Sequence, residues 1–327
     1  MIETASRPRI FVSRRLPERV ERLLGERYQV TLNPTDTPVD AATLARAMGE
    51  YDAVCITILD RVDRDILHVA GRRAGIVANF GVGVDHIDIE AARQAGVAVT
   101  NTPGVLTGAT ADLALTLMLM VARRAGEGER ELRAGRWTGW RPTHLMGEGL
   151  SGKTLGLIGF GRIAKATAER AHFGFGMKIA YYARREDVSG VAEKLRARFM
   201  PDLPQLLETS DIVSLHVPGG PETRHLMDAA MIARMRPNGI LINTARGDVI
   251  DTPALVAALA GGRIAGAGLD VYEGEPHVPA ELTALENVVL LPHLGSATRE
   301  TREQMGMRVL ANLDAWFKGE ALPDRVA

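Results

Sequence analysis

Short apolar runs alternate with stretches of helical spacing from residue 9 onward. "RIFVS" precedes "PERVERLLGER", and "AVCITIL" follows "DAATLARAMGEY". "AGIVANFG" follows "VDRDILHVAGR", and "GVAVTN" follows "IDIEAARQA". Runs of strand length between helical patterns predict a parallel sheet with helices on both faces.

The texture changes near residue 103. "NTPGVLTGATADLALTLMLMVARR" opens with turn residues and becomes a long helix that is apolar on nearly every side. Such a helix is sandwiched between two layers, and it is expected to be the element that crosses between domains. A Gly- and Pro-containing loop, "GWRPTHLMGEG", follows. A second series then starts at Lys153, with strands predicted at "TLGLIGF", "KIAYYA", "IVSLHV", "GILINTA", "AGAGLDV" and "VVLLPH". One last helix, "ETREQMGMRVLANLDAWFKGE", is expected to pack back onto the first domain. The fold class is α/β, with two doubly wound parallel-sheet domains.

A length of 327 residues suits two domains rather than one core. Net charge is −1 and no block of like charge stands out, which argues against nucleic acid or an anionic membrane as partner. The one cysteine, Cys55, lies inside an apolar run, so it reads as a core thiol and allows neither an intrachain disulfide nor a Cys-rich metal site. "MIETASRPRI" lacks the apolar centre of a secretory signal, and the longest apolar stretch, Leu113 to Ala122, is far short of a membrane span. A cytoplasmic location is expected.

"GLIGFGRIAKATAERA" follows a predicted strand and opens a helix, so Gly159, Gly161 and Ala164 fit the dinucleotide fingerprint. Gly159 permits the tight turn, and Gly161 lets backbone approach a pyrophosphate. The helix N-terminus adds free N–H groups and a positive dipole end. The alternative is a tight strand–helix turn that binds nothing.

The next strand should end in an acid that holds the ribose 2′-hydroxyl. Ala183 stands there, followed by Arg184 and Arg185. An acid would repel a 2′-phosphate; two permanently charged forks suit one. Arginine doublets are common in a chain with five lysines and 34 arginines, so the missing acid is the informative part. NADP(H) is the predicted cofactor, with NAD(H) as the alternative.

"LINTARGDVID" puts Arg246 just beyond a strand, "GAGLDVYEGEP" puts Glu275 in the loop after another, and "VVLLPHLGSAT" puts His293 after a third. Open α/β sheets bind ligands beyond the carboxyl ends of their strands, so the three are expected along one crevice. An imidazole suits proton transfer, a carboxylate would orient it, and a guanidinium suits an anionic ligand.

With these motifs, and with "NFGVGVDHID" and "TADLAL" in order before them, the chain resembles the D-2-hydroxyacid dehydrogenase family, and within it the glyoxylate/hydroxypyruvate reductases. The resemblance covers nearly the whole chain. It implies two domains with an interdomain cleft and a homodimer. Residues 1–102 plus 297–327 would form a discontinuous flavodoxin-like substrate-binding domain, and 103–296 a Rossmann dinucleotide-binding domain. It implies hydride transfer between nicotinamide and a 2-keto or 2-hydroxy acid; joined to the missing acid at 183, the expectation is NADPH-dependent reduction of small 2-keto acids to 2-hydroxy acids, with His293 as general acid.

The resemblance also distributes further roles. Phe160, Arg162 and Ile163 in the glycine turn and Gly295 in "LPHLGSAT" would touch the cofactor. Thr244 and Ala245 would pass near the nicotinamide, and His216, Val217 and Pro218 would border the adenine. Thr110 would reach the nicotinamide or a phosphate, or else sit in a helix N-terminal turn. Asp270 would fix the carboxamide, or else cap a turn. The N–H groups of Val82 and Gly83 would cup the substrate carboxylate, unless the loop is a plain turn. Leu59 would line the pocket or fill core. Trp140 would face the neighbouring subunit's pocket or pack at an interface.

Three rivals stand beside this reading. A D-3-phosphoglycerate dehydrogenase would need cations for the substrate phosphate; formate dehydrogenase would need amide side chains that are not found. A non-catalytic dinucleotide sensor, as in the family's co-repressor branch, would keep the same polar residues without turnover.

Overall fold

The computed structural model describes residues 7–327. The stretch "MIETAS", part of the segment read for a signal, lies outside the described residues. The chain forms two compact units, one up to Leu106 together with Ala297–Ala327, the other Thr107–Ser296.

The first unit runs β1 (Arg9–Val12), α1 (Glu18–Arg27), β2 (Gln29–Leu32), α2 (Ala41–Glu50), β3 (Ala53–Ile56), α3 (Arg64–Leu67), β4 (Ile76–Asn79), α4 (Ile89–Ala95) and β5 (Ala98–Thr100). Its five strands lie in the order β2-β1-β3-β4-β5, all parallel. Successive strand residues feed two apolar layers, as a sheet covered on both faces requires. Phe11, Val54, Val77 and Val99 point into one, and Ile10, Cys55, Ile76 and Ala98 into the other. Burial pushes the Cys55 thiol up to about 12, so it is inert packing.

The second unit runs α5 (Thr107–Ala122), α6 (Ala125–Arg133), β6 (Thr154–Ile158), α7 (Arg162–Phe175), β7 (Lys178–Tyr182), α8 (Val191–Lys194), β8 (Arg198–Phe199), α9 (Leu203–Thr209), β9 (Ile212–Leu215), α10 (Ala229–Ile232), β10 (Ile240–Asn243), α11 (Thr252–Ala260), β11 (Gly266–Leu269), α12 (Ala280–Thr283) and β12 (Val288–Leu290). Its seven parallel strands lie in the order β12-β11-β10-β9-β6-β7-β8. The last helix, α13 (Arg299–Lys318), belongs to the first unit, where it lies against α1 and β4.

The apolar helix α5 lies wholly in the second unit, and the boundary falls at its first residue rather than at 102. It packs on α7 and on β10, β11 and β12, burying Ala114, Leu117 and Met118. Two strands carry no apolar run and go unread in the sequence: β2, which alternates exposed and half-buried residues at a sheet edge, and β8, only two residues long. The helix expected across "VDRDILHVAGR" is a four-residue turn capped by Asp63, whose side chain accepts from the Ile66 N–H. Among the described residues, no helix is long and apolar enough to cross a membrane.

Candidate active site

The order of the second sheet reverses between β6 and β9, and the crevice at such a reversal is where open α/β sheets bind ligands. Gly159 follows β6 there. Its φ is +91°, and a Cβ on it would lie 2.5 Å from the His216 carbonyl oxygen beyond β9, so only glycine fits. Gly161 differs. No protein atom lies within 4 Å of where its Cβ would be, so packing does not demand glycine there. The open space leaves room for a ligand to approach the backbone.

Helix α7 starts at that point with no side-chain cap, and its first internal bond is Lys165 N–H to Gly161 O, 3.0 Å. The N–H groups of Arg162, Ile163 and Ala164 therefore point out of the helix end, where an anion is stabilised. The Thr244 hydroxyl, beyond β10, is buried with no hydrogen-bond partner, an orphan that a ligand group would satisfy. Open space at Gly161, an uncapped helix end and an orphaned hydroxyl all fit a bound dinucleotide. His216 stands just after β9; its Nε2 shares a 2.9 Å hydrogen bond with Ser214, and burial pushes it down to about 4, so it is neutral. Val217 borders the Gly159 turn, and Pro218 is exposed.

At the end of β7, Ala183 leads into exposed Arg184 and Arg185. Arg184 reaches Glu222 at 3.4 Å, but the two side chains are 87% and 84% exposed, so the pair is weak. The buried acid of this turn, next to exposed Glu186, is Asp187, with a side chain only 7% exposed and 2.6 Å from Lys165 Nζ. Burial alone would raise it, but the bonds from Lys165, Ala192 N–H and Ser189 bring it down to about 2. A value below the ordinary 3.8 means that the stabilisation is complete above 3.8 and is lost as pH falls through about 2. Thermal melts of the wild type and Asp187→Asn should therefore differ near neutral pH and converge over that window. A gap that does not change with pH would refute this.

The polar residues on the other strand ends meet. Glu275 Oε2 lies 2.8 Å from His293 Nδ1, and its Oε1 accepts from the Tyr272 N–H at 3.0 Å. Burial would raise the Glu275 carboxyl, but the His293 bond and charge, the Tyr272 N–H and the nearby Arg246 charge hold it below its ordinary range. It therefore stays ionised and accepts a hydrogen bond from Nδ1–H, which leaves Nε2 on the far side of the ring. His293 has a φ of +55°, rare for a residue with a side chain. It is held there by its own N–H to Asp270 O at 2.9 Å, and by the Asp270 carboxylate, which accepts from Leu294 N–H at 2.6 Å and Gly295 N–H at 2.8 Å. Thr110 adds a 3.0 Å bond to Gly295 O. Each such bond is worth about 1 kcal/mol net, so together they outweigh the strain of one residue. Burial raises the Asp270 carboxyl, opposed by the Leu294 N–H and the His293 charge.

Arg246 sits between β10 and a short 3₁₀ turn, Gly247–Val249, and its Nη1 donates to Ala245 O at 2.8 Å. Sequence reasoning missed what holds its loop. Buried Asn243 donates to Arg246 O at 2.8 Å and accepts from Ala245 N–H at 3.0 Å. Gly247 lies against the Tyr272–Glu273 peptide so closely that a Cβ would fall 1.8 Å from the Tyr272 carbonyl carbon. An amide at the end of an otherwise apolar strand, "ILIN", was the available signal for Asn243; nothing local marks Gly247.

In the first unit, the loop after β4 turns its carbonyls inward. Asn79 donates to Gly81 O and Gly83 O at 3.2 and 2.8 Å, Asn101 to Val82 O at 2.8 Å, and Thr102 N–H to Gly81 O at 3.0 Å. Among the described residues no acceptor meets the N–H groups of Val82 and Gly83. Leu59 is 39% exposed, so it is not core packing. Trp140 lies in a segment without helix or strand and is 82% exposed.

A glycine turn at a sheet's switch point, with an imidazole–carboxylate pair on neighbouring strand ends, is the arrangement of a nicotinamide-dependent oxidoreductase. Similarity to known proteins narrows the class. The family model for the D-isomer specific 2-hydroxyacid dehydrogenase, NAD binding domain, matches residues 115–295. The glyoxylate reductase of Thermococcus litoralis is 47% identical over 98% of this chain and 97% of its own. That of Aeropyrum pernix is 45% identical over 98% and 96%. The crystal structure of the NADPH-dependent glyoxylate/hydroxypyruvate reductase from Sinorhizobium meliloti, in complex with NADP and malonate, superposes with a TM-score of 0.87 at 38% identity, covering 98% of this chain and 97% of that one. The chain belongs to the D-isomer specific 2-hydroxyacid dehydrogenase family.

Proposed function

We propose that this protein reduces small 2-keto acids, glyoxylate and hydroxypyruvate foremost, to 2-hydroxy acids with NADPH. The observation that carries the reading is the His293–Glu275 pair at 2.8 Å. Glu275 fixes the tautomer, so His293 delivers a proton from Nε2 to the substrate carbonyl oxygen. Arg246 binds the substrate carboxylate and polarises the carbonyl with its planar fork. Bound nicotinamide supplies the hydride.

The turn Gly159–Ile163 holds the pyrophosphate, and Thr110, Thr244, Ala245, Asp270 and Gly295 serve the nicotinamide end. His216, Val217 and Pro218 serve the adenine end, and Arg184 and Arg185 the 2′-phosphate. In the first unit we assign substrate contacts to Leu59 and to the N–H groups of Val82 and Gly83. Exposed Trp140 is assigned to the substrate pocket of the neighbouring subunit in a homodimer. The relatives' own names, glyoxylate reductase and NADPH-dependent glyoxylate/hydroxypyruvate reductase, support the same substrates and cofactor.

Initial rates on a panel of 2-keto acids with both cofactors test this. Two charge-assisted contacts to a phosphate should give NADPH a KM about tenfold below that of NADH. A lower KM for NADH would sink the cofactor assignment. No turnover across the panel would sink the enzyme and favour a dinucleotide sensor.

A further inference from the structure

Arg184 and Arg185, the residues assigned to the 2′-phosphate, have no firm anchor of their own. Arg184 rests on one exposed carboxylate, and Arg185 meets no acceptor among the described residues. Their position therefore depends on the backbone of the turn after β7. That turn is pinned at its far end by Asp187. Its Oδ1 takes Lys165 Nζ at 2.6 Å, its Oδ2 takes Ala192 N–H at 3.1 Å, and the Ser189 hydroxyl bonds both oxygens at 2.9 and 3.0 Å.

The pin connects to the glycine turn. Lys165 stands in the first turn of α7, with its Nζ 5.6 Å from the centre of the Phe160 ring. Phe160, between the two glycines, stacks on Tyr181 at 3.9 Å and 20°. The Tyr181 hydroxyl in turn accepts the Asp187 N–H at 3.0 Å. Two routes, one ionic and one aromatic, thus join the phosphate cradle to the arginine turn.

We infer that Lys165 and Asp187 are positioning residues for cofactor choice: the pair locks the arginine turn to the glycine turn, so selection of a 2′-phosphate depends on an ion pair outside the assigned cofactor contacts. The inference rests on the NADPH reading above. It has a geometric and an electrostatic side. With Lys165 in place the turn is ordered before the ligand arrives, which lowers the cost of binding. Without it, Asp187 becomes an unpaired carboxylate in the very turn that must attract a phosphate.

Calorimetric titration of the full chain with 2′,5′-ADP and with 5′-AMP tests this without turnover. The wild type should bind 2′,5′-ADP about tenfold more tightly. Lys165→Met should weaken 2′,5′-ADP binding by roughly 5- to 10-fold and change 5′-AMP binding by less than about twofold, while Lys165→Arg keeps the preference. Should Lys165→Met not fold, Lys165→Gln, which keeps a polar end but likewise leaves the Asp187 charge uncompensated, should show the same selective loss. An equal loss for both ligands, or no loss in either variant, overturns the inference. A wild type without preference overturns instead the NADPH reading beneath it.

Discussion

Replacing His293 by alanine is expected to lower kcat on glyoxylate by about 10²- to 10⁴-fold, the range that a positioned general acid contributes. The expectation follows from the bond at Nδ1. Glu275 occupies that nitrogen at 2.8 Å and is held ionised despite its burial, so the pair has one free nitrogen and a fixed direction for it. The glycine turn and the α7 N-terminus are separate features of the same unit, so dinucleotide binding, read by fluorescence, should survive the substitution. Glu275→Gln makes the complementary point. It leaves an amide that can turn either its oxygen or its NH₂ toward Nδ1, so the tautomer is no longer fixed and kcat should fall while dinucleotide binding stays. Full activity in His293→Ala, or loss of cofactor binding in step with activity, would refute the assignment.

What the sequence exposes here is decided by local pattern. Strands β3, β4, β9 and β10 are buried at every residue and stand out as apolar runs between helical stretches. Edge strand β2, "QVTL", faces solvent on alternate residues and looks like loop. The same division runs through the site. Arg246, Glu275 and His293 are polar residues just past strands, which is visible in one dimension. The groups that hold them are not. Asp270 supports the His293 loop through Leu294 and Gly295, and Asn243 supports the Arg246 loop, because parallel register sets β10, β11 and β12 side by side. Asp270 was open to two readings, nicotinamide contact or turn cap. Its carboxylate bonds both N–H groups of the next strand's loop, a use that depends on a neighbour more than twenty residues away in sequence. Likewise, Lys165 and Asp187 look like ordinary surface charges until β7 brings the turn against α7.

Gly247→Ala should be the most damaging single methyl in the second unit. The added Cβ would fall 1.8 Å from the Tyr272 carbonyl carbon, 2.1 Å from the Glu273 nitrogen and 2.3 Å from the Tyr272 oxygen. All three are backbone atoms, so no side-chain rotation relieves the collision, and one loop must move away from the other. One of these loops carries Arg246. The other carries Glu275, whose Oε1 is tied to the Tyr272 N–H at 3.0 Å. Overpacking of this kind costs about 3 kcal/mol where backbone must shift. A displacement of about 1 Å between catalytic groups costs roughly 10²-fold in rate. The variant should therefore melt several degrees lower and lose about 10²-fold in kcat/KM on glyoxylate, with dinucleotide affinity nearly unchanged because Gly159 and Gly161 lie on other strand ends. Wild-type rates together with a wild-type melting temperature would show that the two loops are not in contact, and with that the convergence of Arg246 and Glu275 would fall.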